Sequence, residues 1–411
     1  MNKLKKYIWN FFRTVILIGT EFIIMYPIMY MISCAFRDSA DMNDPSVMWL
    51  PKHLTLDVMR DTIKAMEFGN ALKNTLFLNV GCAVVQVISC AVTMMLLLKQ
   101  RIEGKDTMLF INPGFPAQRN QAKLLGLKEE AFDIYSYRGK KLEEKLESIL
   151  SNGNITAMIY SNPNNPAWTN LTEEELEIIG RMATKYDVIV LEDLAYFGMD
   201  FRKDIGHPGV PPFGSTCARY TDNYILLLSA SKIFSYAGQR IALVCMSEKV
   251  ADRHYEALEK FYEMPSFGDA YVFGVLYCAS SGTAHSAQYA LAAMLEKAVK
   301  GELPFVDHCR EYAKKAERAK KSFTDNGFHL VYEFDGDEPI SDGFFFTMGY
   351  PGMSAKELQL ELLRYGVASI SLPSTGSEQP GVRVCVSMLR SEDDFVKLER
   401  FLKKFNEDHK K

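Results

Sequence analysis

Three short polar clusters each follow an apolar run, and each carries side chains that can do chemistry. Ser161-Asn162-Pro163-Asn164-Asn165-Pro166 follows Thr156 to Tyr160, Glu192-Asp193-Leu194-Ala195-Tyr196 follows Val188 to Leu191, and Ser229-Ala230-Ser231-Lys232 follows Tyr224 to Leu228. Together they offer an amine, carboxylates, amides, a phenol and hydroxyls, a set able to hold a polar ligand and move protons. Taken singly, each has a plainer account. Asn-Pro is a common turn, an Asp at a strand end caps the next helix, and Ser-x-Ser-Lys is ordinary surface loop.

The elements around the clusters decide between these accounts. Met108 to Ile111, Phe132 to Tyr135, Thr156 to Tyr160, Val188 to Leu191, Tyr224 to Leu228 and Ile241 to Met246 read as buried strands. Helical patterns lie between them, among them Thr172 to Tyr186, where Thr172 followed by Glu175 makes a capping-box start. Strand and helix in alternation predict an α/β domain with a mostly parallel sheet. Ligands in such sheets sit at the carboxyl ends of the strands, where all three clusters fall.

In this order and spacing, with Asn112-Pro113-Gly114-Phe115-Pro116 ahead of them, the clusters resemble the class I and II aminotransferases, the family of aspartate aminotransferase. The resemblance runs from about Met108 to the end. It implies a fold-type I pyridoxal-phosphate enzyme, with a large domain over residues 106–300 and a smaller α/β domain over 301–411, the latter opening on a long helix from Phe305 to Asn326. It implies transfer of an amino group between an amino acid and a 2-oxo acid, a cytoplasmic catalytic portion and a homodimer. A carbon-sulfur lyase of the same fold is the neighbouring alternative.

The resemblance also implies a role for each site residue. Lys232 forms the Schiff base with pyridoxal 5'-phosphate and then serves as general base and acid. Ser229, Ser231 and Arg240, the last eight residues beyond the lysine, bind the cofactor phosphate. Asp193 keeps the ring nitrogen protonated, because a buried carboxylate favours the charged form. Asn165 and Tyr196 donate to the ring oxygen, Phe115 stacks on the ring face, and Asn165 also reaches the substrate. Arg383, in Gly381-Val382-Arg383-Val384, grips the substrate carboxylate through paired hydrogen bonds. The family usually continues the Asn-Pro turn with Thr-Gly. Here Ala167 and Trp168 follow Pro166, so the wall of the site there differs.

The first hundred residues have another texture. The run from Val15 to Ala35 carries one acid, Glu21, and the run from Thr75 to Leu98 carries no charge, so each is long enough to cross a bilayer as a helix. Lys3, Lys5 and Lys6 before the first, and Lys99 and Arg101 after the second, place both ends in the cytoplasm. Pro27, Ser33-Cys34-Ala35-Phe36-Arg37, Trp49-Leu50-Pro51 and Phe68-Gly69-Asn70-Ala71-Leu72 resemble the start of sugar-type ABC-transporter permeases. The expectation is a permease-like segment over 1–105, joined near 98–105 to an aminotransferase that lacks its beginning. Such a chain would be anchored in the membrane, and without the family's glycine-containing phosphate loop it would retain its cofactor poorly. A non-enzymatic membrane fusion is the remaining alternative.

Composition closes other routes. A net charge of −4 with no long basic block excludes a nucleic-acid partner, and eight scattered Cys without C-x-x-C pairs or His clusters indicate no metal site and no disulfide framework.

Overall fold

Successive residues of a strand point to opposite faces, so a central strand in a two-layer fold must be apolar throughout. The computed structural model, which describes residues 92–410 together with scattered positions between 9 and 60, bears this out. Strands β1 (Thr107–Asn112), β2 (Lys128–Asp133), β3 (Ile155–Ser161), β4 (Ile189–Leu194), β5 (Tyr224–Ser229) and β6 (Ala242–Met246) form one sheet in the order β2-β1-β3-β4-β5-β6. The first five run parallel and β6 closes the edge antiparallel. Met108, Phe110, Ile159, Leu191 and Ile225 face one apolar layer, and Leu109, Ile111, Met158 and Val190 face the other.

The second expected strand is displaced. It spans Lys128–Asp133 and not Phe132 to Tyr135, and Ile134–Tyr137 is a 3-10 turn. Its first four residues are exposed at the sheet edge, so the strand carries little of the apolar signal by which strands are recognised.

Helix α1 (residues 92–100) precedes the sheet, and α2 (Pro116–Leu124), α3 (Lys141–Leu150) and α4 (Glu173–Tyr186) connect its strands. The capping box on α4 forms as expected, with Thr172 and Glu175 each bonding the other's backbone. A short helix α5 (Ala230–Ile233) follows β5 directly.

The membrane reading is corrected where it can be seen. Among the described residues no helix is long and apolar enough to cross a membrane. Most of the runs over 15–35 and 75–98 lies outside the described residues. The described end of the second, Met94, Met95, Leu97 and Leu98, is fully buried against the face of the sheet that carries Met108 and Phe110. Arg101, expected as a basic flank, is also fully buried. Its guanidinium donates to the Thr156 carbonyl (2.8 Å), the Asp187 carbonyl (3.1 Å) and the Tyr255 hydroxyl (3.1 Å). Residues 98–105 therefore continue into the α/β domain through specific bonds, Lys105 adding one to the Tyr186 carbonyl at 2.9 Å.

After helix α6 (Phe305–Thr324) come β7 (His329–Leu330), the hairpin β8 (Phe334–Asp335) and β9 (Glu338–Pro339), β10 (Phe345–Gly349), helix α7 (Ala355–Arg364), β11 (Ile370–Ser371), β12 (Val382–Cys385) and helix α8 (Glu392–His409). Strands β11-β12-β10-β7 make an antiparallel sheet. Helices α6, α7 and α8 bury an aromatic core on it, including Phe323, Phe328, Phe346 and Phe405. The buried carboxylate of Asp133, at the end of β2, accepts from the Tyr332 hydroxyl at 2.8 Å and the Glu378 backbone at 2.9 Å. These bonds fix the C-terminal sheet over the carboxyl ends of the parallel strands.

Residues 1–82 form a unit distinct from 83–411. Within it, residues 29–35 are helical, and Asp41 accepts from the His53 backbone at 2.7 Å. Asp38, Asp41 and His53 hold potential ligand atoms within 4.8 Å of one another. The sequence reading did not anticipate this group.

Candidate active site

Strand β4 carries Asp193 one residue before its end, in register with Ser161 of β3 and Leu227 of β5. Its carboxylate is half-buried at the cavity and, among the described residues, accepts from neutral donors, Gln118 Nε2 at 2.7 Å and the Ala195 backbone at 3.1 Å. Burial pushes its pKa up to about 6, because a carboxylate without a cation is disfavoured in a poorly solvated place.

Strand β5 ends at Ser229, whose hydroxyl caps α5 by accepting from the Ser231 backbone at 3.2 Å. The cap sets Lys232 one turn beyond the strand end. Its amine lies 5.3 Å from the centre of the Phe344 ring. Burial lowers its pKa, and Arg240 and Arg383 push the same way.

Strand β12 brings in Arg383 from the C-terminal sheet. One guanidinium nitrogen donates to Asn165 Oδ1 at 2.8 Å, and the guanidinium lies 4.2 Å from the Phe345 ring centre. Its Nε is buried without a hydrogen-bond partner among the described residues. Asn165 is held from below, its backbone donating to Ser161 Oγ at 3.1 Å.

All nine residues singled out in the sequence (Phe115, Asn165, Asp193, Tyr196, Ser229, Ser231, Lys232, Arg240 and Arg383) line one cavity of about 460 Å³. Phe115 presents a half-exposed ring at the start of α2, and Tyr196 is buried edge-on to Trp168 and Phe345. Desolvation holds the Tyr196 phenol well above its usual pKa, so it stays a donor. Gln118, Ser161, Phe344, Phe345 and Cys385 share the wall and were not singled out. Gln118 lies one helical turn beyond Phe115 on the same face, but nothing in that spacing ties it to Asp193.

The departure expected in the wall lies behind it, since Ala167 and Trp168 are fully buried and do not line the cavity. Trp168 sits at φ 62°, where a bulky residue is rare, in the place the resembling family gives to glycine. Complete burial, a 3.1 Å bond from its Nε1 to Ser341 Oγ and ring contacts with Tyr196 and Phe345 hold it there. Gly343 makes room for the indole, since a Cβ at that position would lie 2.1 Å from two ring carbons. Gly343→Ala is therefore expected to destabilise the fold by about 2 kcal/mol or more, read as a lower midpoint in urea. An unchanged midpoint would mean that the indole can move.

The family model of aminotransferase class I and II matches residues 63–398. This chain belongs to that family. The match begins well upstream of residue 106, where the aminotransferase portion was expected to start, and it includes Phe68 to Leu76, part of the permease resemblance. Nicotianamine aminotransferase 1 of Oryza sativa is 28% identical over 142 residues, 34% of this chain and 27% of that protein. Histidinol-phosphate aminotransferase of Macrococcus caseolyticus is 32% identical over 135 residues, 32% of this chain and 33% of that protein. The chain thus spans about a quarter to a third of the length of these two curated relatives. Among solved structures, aromatic aminotransferase from Pyrococcus horikoshii superposes with a TM-score of 0.59 at 17% identity, covering 78% of each chain. A Thermus thermophilus aspartate aminotransferase double mutant gives 0.58 at 18% identity, covering 76% of this chain and 73% of that one. These likenesses establish the fold.

Class I and II aminotransferases use pyridoxal phosphate, and the cavity fits it. The raised pKa of Asp193 marks a carboxylate that a protonated ring nitrogen would satisfy. Lys232 would offer an amine to it, and Ser229, Ser231 and Arg240, on the same wall, carry donors of the kind a phosphate needs.

Proposed function

We propose that this aminotransferase-family chain moves an amino group between an amino acid and a 2-oxo acid, with pyridoxal phosphate held at Lys232. The observation that carries the reading is the convergence on one cavity of Asp193 near the end of β4, Lys232 in the helix after β5 and Arg383 on β12. When bound, the cofactor supplies an electron-withdrawing ring conjugated to the substrate nitrogen.

The residues then divide the work. Asp193 would hold the proton on the ring nitrogen, and Asn165 Nδ2 and the Tyr196 hydroxyl would donate to the ring oxygen. Phe115 would pack against the ring, and Ser229, Ser231 and Arg240 would bind the phosphate. Lys232, whose pKa burial lowers, would take the proton from the substrate α-carbon at Nζ and return it. Arg383 would orient the substrate by its carboxylate, with its buried Nε, which has no hydrogen-bond partner among the described residues, available as a donor. The reading includes a homodimer, supported by exposed Phe273, Tyr277 and Tyr289 on the helices after β6.

The test follows nitrogen. Incubation with an amino acid and a 2-oxo acid is expected to yield a second amino acid by a two-step exchange. Release of ammonia without an amino-acid product would replace transamination by elimination. Arg383→Lys should raise KM for the amino acid about 10- to 100-fold with a smaller change in kcat, since a lysine cannot make the paired bonds. An unchanged KM would remove Arg383 from the substrate site.

A further inference from the structure

The charged side chains of the cavity wall, among the described residues, are Asp193, Lys232, Arg240 and Arg383. On the reading above, Asp193, Arg240 and Lys232 serve the cofactor, and Arg383 serves the substrate's carboxylate. Two phenyl rings of the cavity wall lie beside Lys232 and Arg383. Phe344 lies 5.3 Å from Lys232 Nζ, and Phe345 lies 4.2 Å from the Arg383 guanidinium. The two rings are 5.3 Å apart and close to perpendicular, forming a corner. An amino acid whose carboxylate pairs with Arg383 and whose α-proton lies within reach of Lys232 would carry its side chain beside that corner.

The corner cannot yield. Tyr312 packs behind Phe344 at 4.5 Å and Trp168 packs edge-on against Phe345 at 5.9 Å. Trp168 is wholly buried in its left-handed backbone position. A side-chain carboxylate pressed into this corner would lose water and gain no donor, which is costly. A phenyl or other large apolar group would gain edge and face contacts with both rings.

We propose that the Phe344–Phe345 corner, held in place by Trp168 as a positioning residue, selects amino acids with large apolar, foremost aromatic, side chains over dicarboxylic ones. The inference rests on the aminotransferase reading for the places of amine and carboxylate.

Binding of unreactive carboxylates tests it without turnover. Calorimetric titration of the cofactor-loaded chain should show 3-phenylpropanoate binding at least tenfold more tightly than succinate. Trp168→Leu, confirmed as folded by circular dichroism, should reduce that preference severalfold, and Trp168→Phe should restore most of it. Succinate binding as tightly as 3-phenylpropanoate overturns the side-chain assignment, and full preference in Trp168→Leu overturns the positioning role. Tight 3-phenylpropanoate binding with no nitrogen transfer from phenylalanine, methionine, aspartate or glutamate would overturn the aminotransferase reading while leaving the apolar corner standing.

Discussion

Replacing Lys232 with alanine is expected to abolish covalent retention of pyridoxal phosphate and to lower amino-group transfer about 1,000-fold or more. Lys232 is the one lysine in the cavity wall among the described residues, so no neighbouring amine can take over. Its position depends on local structure that alanine preserves, because Ser229 caps the short helix and Ile233 buries its other side. The loss should thus be chemical and not conformational. The wild-type chain with added cofactor should show a lysine-dependent absorbance band, and borohydride reduction followed by peptide mapping should find the label on the Lys232 peptide. The same band in the variant, or label on another lysine, would move the attachment point elsewhere.

Much of this site was legible because its residues ride on strand ends. Asn165, Asp193, Tyr196, Ser229 and Lys232 each follow a long apolar run, and a parallel sheet gathers the ends of such runs at one edge. What stayed hidden depends on space, not on order. Gln118 becomes a partner of Asp193 because β1 and β4 flank β3, a neighbour relation that spacing along the chain does not contain. The edge strand β2 was shifted because four exposed residues carry no apolar signal. The stretch Met94 to Leu98 is apolar on every side, and a helix of that kind suits a bilayer or a protein core equally well. Only its packing on the sheet, and the burial of Arg101 beside it, separates the two. Trp168 was visible as a departure, yet its consequence needed Gly343, 175 positions away in sequence.

Asp193 carries the second large expectation, and it has two parts of opposite sign. In the protein without cofactor, the carboxyl holds its proton up to a pH of about 6, against an ordinary value of 3.8. The native state therefore binds that proton more tightly than the unfolded chain does. Stability falls as pH rises from about 4 to about 6 and is flat above, with the ionised carboxylate costing on the order of 2–3 kcal/mol. Asp193→Asn, which can still accept from Gln118, lacks that cost. The cofactor-free variant should be more stable than wild type in urea at pH 7.5, by up to about that amount, with the difference shrinking toward pH 4. Pyridoxal phosphate reverses the order. A protonated ring nitrogen beside the carboxylate turns the unpaired charge into an ion pair, so the cofactor should stabilise wild type more than the variant. Amino-group transfer should fall about 100- to 1,000-fold in the variant, because a neutral amide does not hold the proton on the ring. Equal stabilisation of both proteins by the cofactor, or a wild type at least as stable as the variant without it at pH 7.5, would show that Asp193 does not face the ring nitrogen. Both parts are needed, since an activity loss alone would follow from any disturbance of the site, whereas the reversal requires a charge placed against a charge.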